Sequence, residues 1–151
     1  MKDVSQRIRE LLNVLNAHWL TFTEAELEYT PGPGKWSKKE ILGHLIDSAV
    51  NNHRRFVLSQ ILPEPLIIVP YDQDQWVLLS RYQYTPSAEL LQLWTLYNAQ
   101  LARMLEHIPE SAASSRCEFD NGYTVSLRWL AEDYVVHMEQ HIHQILNISA
   151  A

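Results

Sequence analysis

Apolar residues recur at intervals of three and four along most of the chain, and short proline- and glycine-rich stretches separate the runs that keep this period. In residues 3–22, Val4, Ile8, Leu11, Leu12, Leu15, Trp19 and Phe22 share one face, which predicts a first amphipathic helix. Thr30-Pro31-Gly32-Pro33-Gly34 interrupts the pattern, because two prolines and two glycines oppose helix propagation. Ser37-Lys38-Lys39-Glu40 then has capping-box spacing, in which Ser37 and Glu40 satisfy each other's free backbone amides, so a second helix starts near Lys38. It should run to about Gln60, ahead of Pro63 and Pro65.

A short helix is expected at 72–80, inside a connection otherwise rich in prolines and aromatics. Thr85-Pro86 opens a third long helix, with the proline at the first helical position where its missing amide costs nothing. That helix turns Leu90, Leu93, Trp94, Tyr97, Leu101, Met104, Leu105 and Ile108 inward and closes at Pro109. Residues 117–125 alternate around Asp120-Asn121-Gly122, which predicts a short hairpin, and a fourth long helix covers 126–147. The sum is an all-α four-helix bundle with a short extra helix and a short hairpin in its connections.

Composition narrows the setting. A chain of 151 residues, 46% hydrophobic with five tryptophans, suits one domain over 1–151 with a single core. The net charge of −6 and the absence of clustered Lys and Arg exclude a nucleic-acid partner. Lys2, Asp3 and Arg7 stand where a signal peptide would need an apolar segment, and no apolar run approaches the roughly 20 residues of a membrane span. A cytoplasmic protein without membrane contact is expected. The lone cysteine, Cys117, fits a reducing compartment and, with no neighbouring base, reads as an ordinary loop thiol.

Candidate chemistry lies on the second and fourth long helices. At about 100° per residue, Leu127, Leu130, Tyr134, Met138, Ile142 and Ile145 form the buried stripe of the last helix, and His137 and His141 stand at its inward edge. His143 points outward, beside Glu132 and Glu139. Asp133, one turn before His137, is placed to orient an imidazole or a bound water. On the second helix Ile41, Leu45, Ala49 and Phe56 face the core, while His44, Ser48, Asn51 and Arg55 form a polar line along its margin and Asn52 sits closer to the core. Polar side chains bordering an apolar stripe suggest a cavity wall. His53 points about the opposite way and is expected in solvent.

A single interior histidine is ordinarily a hydrogen-bonded core residue. Three of them, His44 with the pair His137 and His141, are costly to bury unless their nitrogens are satisfied, which makes a shared divalent ion the better reading. His18 and His107 fit helix margins and ends. The sequence His137-Met138-Glu139-Gln140-His141 departs from the zinc-protease pattern, since Glu139 stands one place too late to act as its general base.

The run Lys35-Trp36-Ser37-Lys38-Lys39-Glu40-Ile41-Leu42-Gly43-His44-Leu45-Ile46-Asp47, followed by Asn52, Arg55 and Phe56 and then by His137-x-x-x-His141, resembles the DinB/YfiT-like superfamily. The resemblance covers nearly the whole chain. It implies a four-helix bundle with up-down-down-up connections, often dimeric, that holds a divalent metal through His44, His137 and His141. Asp47 and Asp133 are expected behind those ligands, and Ser48, Asn52 and Arg55 are expected to line the pocket. Zinc or nickel is favoured, with iron or manganese also suited to nitrogen ligands. The resemblance further implies either transfer of a small-molecule thiol of the bacillithiol or mycothiol type to an electrophile, or metal-dependent hydrolysis. No carboxylate is placed as an evident general base, which favours thiol transfer; a non-catalytic metal-binding stress-response module is the third reading.

Overall fold

The protein is described by a computed structural model covering residues 1–149. Its long helices are α1 (Lys2–Trp19), α3 (Lys38–Leu58), α5 (Ser87–Glu106) and α7 (Leu127–Asn147), and they form the predicted bundle. Shorter helices occupy the connections: α2 (Glu24–Glu28), α4 (Gln73–Ser80) and α6 (Glu110–Ala113). The Ser37–Glu40 capping box is formed and sets the start of α3, as its spacing predicts. A second box, Thr23 with Glu26, starts α2.

α1 packs on α5 and α7, and α3 also packs on α5 and α7. The diagonal pairs are therefore α1 with α3 and α5 with α7, while α3 and α5 follow each other in the chain and are neighbours. The buried face of α5 carries Leu90, Leu91, Trp94, Asn98, Leu101, Ala102 and Leu105. Leu93, expected inward, is 50% exposed, because the helix turns the Leu90–Leu91 side rather than the Leu93 side to both neighbours. Pro86 is the cap of α5 and not its first helical residue.

The hairpin is present as β2 (Arg116–Phe119) and β3 (Thr124–Ser126), paired antiparallel. A third strand, β1 (Leu66–Ile68), adds in parallel to β2, with Leu66 opposite Cys117 and Ile68 opposite Phe119. This small sheet buries Leu66, Ile68, Cys117 and Val125 against the helices. Burial pushes the Cys117 thiol up to about 11, so it is a packed and unreactive group. Among the described residues no helix is long and apolar enough to cross a membrane.

Candidate metal centre

α3 and α7 meet along a face that is polar in its middle. His44 is fully buried on α3, and His137 and His141 are half-buried one turn apart on α7. Lys38 sets their register: its buried ammonium donates to the Ile148 carbonyl at 2.7 Å and to the Ile145 carbonyl, just beyond His141. A cation is favoured at those carbonyls, where the helix dipole is negative.

The three imidazoles converge. One ring nitrogen from each of His44, His137 and His141 lies within 4.8 Å of the others, and Nε2 of His44 stands 3.1 Å from Nε2 of His137. Two nitrogens bound to one zinc ion, each about 2.0–2.1 Å from it, lie roughly 3 Å apart, so the spacing fits a shared ion. The donor set fits as well, since neutral imidazoles suit zinc, copper, iron or nickel. His141 Nδ1 donates to Gln144 Oε1 at 2.9 Å, and His137 Nδ1 lies 3.5 Å from Ser48 Oγ. The Gln144 oxygen can only accept, so it favours the His141 tautomer that leaves Nε2 a free lone pair. Trp36 packs on His44, with ring centroids 4.9 Å apart.

Burial, reinforced by the neighbouring imidazoles, holds the pKa of His44 down at about 3 and that of His137 at about 4. Burial also lowers His141, against the Gln144 hydrogen bond. All three rings are thus neutral and ready to ligate at physiological pH.

The carboxylates stand elsewhere. Asp47 is buried, accepts the Tyr82 hydroxyl at 2.5 Å through Oδ1, and leaves Oδ2 without a partner. Asp133 is exposed on the wall of the neighbouring cavity. Neither bonds to a histidine of the cluster; the side chains outside the cluster that make polar contacts with those rings are Ser48 and Gln144. Gln144 was legible only as the residue one turn after His141. Tyr82 lies flat on Gly43, where an added Cβ would meet its ring at 2.0 Å, so only glycine lets the turn at Tyr82–Tyr84 close over this end of α3. His53, expected in solvent, is half-buried instead and shares a 2.8 Å hydrogen bond with Tyr97 of α5.

Beside His137 lies a cavity of about 200 Å³, bordered by Ser48, Asn52, Arg55, Tyr71 and Asp133. The three expected pocket residues of α3 line this space together. Tyr71 is the member the sequence did not reveal, because it comes from the irregular connection before α4.

Four helices with three converging imidazoles and an adjoining cavity define a helical bundle with a histidine cluster that could hold a metal ion. A model of the DinB superfamily matches residues 7–145, and the chain belongs to that superfamily. A relative from Halalkalibacterium halodurans, named as a candidate metal-dependent hydrolase, is 22% identical over 147 residues, 95% of this chain and 85% of its own. YfiT of Bacillus subtilis, named likewise, is 25% identical over 150 residues, 99% of this chain and 80% of its own. The solved structure of YfiT, described as having an unusual four-helix bundle topology, matches with a TM-score of 0.86 at 24% identity, covering 96% of this chain and 83% of that one. The mycothiol-dependent maleylpyruvate isomerase matches with a TM-score of 0.74 at 13% identity, covering 95% of this chain and 59% of the isomerase. These structural likenesses establish the fold.

Proposed function

We propose that the protein is a divalent-metal-dependent enzyme that transfers a small-molecule thiol to an electrophile. The observation that carries this reading is the convergence of His44, His137 and His141 as neutral rings beside a cavity. A divalent ion there, zinc or nickel by preference, supplies Lewis acidity that lowers the pKa of a thiol or a water brought to it. Gln144 keeps the His141 imidazole in the ligating tautomer, and Ser48 lies beside the His137 ring. The sulfur forms its bond to the electrophilic carbon as the leaving group departs with the electron pair, and the thiol proton passes to solvent. This chemistry needs no protein base, and among the described residues no carboxylate is bonded to the cluster.

Hydrolysis is the second reading, and the names of the relatives favour it. A homodimer and a cytoplasmic setting belong to the same proposal; the outward Leu93 and Leu96 of α5 support the former.

The test is to load the protein with zinc or nickel and offer small thiols with monochlorobimane. Metal- and thiol-dependent conjugation is expected, and it should vanish in His44→Ala and His141→Ala. Ester cleavage without thiol consumption would favour hydrolysis, and no turnover of either kind would leave a metal-binding module.

A further inference from the structure

The cavity beside His137 holds a charged group for which the metal reading has no use. Arg55 sits on α3, about three turns beyond His44, and its guanidinium borders the cavity together with Asn52, Tyr71 and Asp133. It is half-buried, and burial lowers its pKa from the ordinary arginine value, with Tyr71 and Asp133 acting in the opposite sense. Its hydrogen bonds are few and long: Nη1 to Asn52 Oδ1 and Nη2 to the Val69 carbonyl, each 3.4 Å. Arg7, Arg9, Arg116 and Arg128 each reach a carboxylate within 4.0 Å; among the described residues Arg54, Arg55, Arg81 and Arg103 reach none, and of these four Arg55 is the one that is half-buried and borders the cavity. A guanidinium carries five donors in a planar fork, so most of its hydrogen-bonding capacity at this cavity wall is unused.

We propose that Arg55 receives a carboxylate on the substrate, so that the enzyme acts on small molecules bearing a carboxylate within reach of the reacting end. The fork of one arginine matches a planar carboxylate with two parallel hydrogen bonds. A single negative charge is what the site accommodates, because Asp133 on the same wall opposes a dianion such as phosphate. The volume, about 200 Å³, is below the roughly 300–1,000 Å³ of sites that enclose drug-sized ligands, so the part held here is small. The inference rests on the thiol-transfer reading only in placing the reacting end of the substrate near the histidines.

Two probes that share a thiol and differ in one charge isolate the effect: 3-mercaptopropionate and 3-mercaptopropionamide. Each is titrated calorimetrically into zinc-loaded wild type, Arg55→Ala and Arg55→Lys, with zinc content and thermal midpoint measured on every sample. The quantity read is the acid-to-amide preference, compared between proteins so that the ion's own attraction for carboxylates cancels. The wild-type preference should exceed that of Arg55→Ala by roughly tenfold or more, as expected for a charge-assisted pair, and Arg55→Lys should recover part of it. An unchanged preference in a folded, zinc-replete Arg55→Ala overturns the proposal. Inorganic phosphate that binds wild type more tightly than the acid, and loses this on Arg55→Ala, overturns the carboxylate assignment. A wild type that takes up no zinc defeats the metal reading instead, and the same comparison on zinc-free protein still decides the role of Arg55.

Discussion

Two helix interfaces of this bundle are built from different material. α1 and α5 bury Ile8, Leu11, Leu15 and Trp19 on one side and Leu90, Trp94, Leu101 and Leu105 on the other. α3 and α7 instead bring His44, Ser48 and Asn52 together with His137 and His141. Apolar burial stabilises by about 25 cal/mol per Å², whereas a buried polar atom without a partner costs about 1–3 kcal/mol. Such atoms occur on both sides: His44 Nδ1 and Asp47 Oδ2 on α3, and Ser5 Oγ, Trp19 Nε1 and Trp94 Nε1 on α1 and α5. What separates the two interfaces is that the α1–α5 side is dominated by apolar burial, whereas the α3–α7 side gathers groups that could hold an ion.

The largest effect should come from breaking the apolar side. Trp94→Ala removes a fully buried ring and should cost about 3–5 kcal/mol in denaturant unfolding, with zinc stoichiometry of the folded protein unchanged. Gly43→Ala strikes the polar side through the contact with Tyr82. Forcing the ring away should cost about 1–3 kcal/mol and raise the zinc dissociation constant, read by competition with a chelator dye. Gln144→Ala should leave thermal stability of the metal-free protein within about 0.5 kcal/mol, as for other exposed positions. It should weaken zinc binding roughly 10–100-fold by releasing the His141 ring.

The smallest effect is a slope with pH. His44 and His137 titrate near 3 and 4 when folded and near 6.5 when unfolded, so the unfolded chain binds more protons as pH falls from about 6.5 towards 4. Stability of the metal-free protein should fall over that window. Asp47 acts in reverse, since its folded pKa of about 6 exceeds the unfolded 3.8 and stability is gained as pH falls between them. The histidines outnumber it, so a net loss is expected, and Asp47→Asn should steepen it in unfolding measured at successive pH values.

Local signals made the frame legible. The 3.6-residue period, the Ser37–Glu40 box and the stop at Thr30–Gly34 locate the long helices, because they act within a few residues of chain. The same reasoning by angle brought His44, His137 and His141 to one face each, and the packing of α3 on α7 joins those faces. What stayed hidden depends on distant partners. β1 is three residues between prolines, too short for any alternation to show, and it exists through its pairing with Cys117–Phe119. Leu93 and Leu90 fit the apolar stripe about equally well by period, and only the position of two neighbouring helices selects the Leu90 side. Asn98 and Tyr134 follow the same rule: their buried hydrogen bond joins α5 to α7 and shows no trace in either helix alone. Asp47 was expected behind a histidine, but the Tyr82 turn claims it from a segment whose course the sequence did not reveal.

The central claim is that one ion is shared by imidazoles from α3 and α7. Elemental analysis of untagged protein, wild type beside His44→Ala, His137→Ala and His141→Ala, tests it most directly. About one divalent ion per chain is expected in the wild type, with each single substitution bringing the content close to zero while the helical circular dichroism is kept. A folded variant that retains the full metal content, or a wild type that binds none after incubation with zinc or nickel, would contradict it.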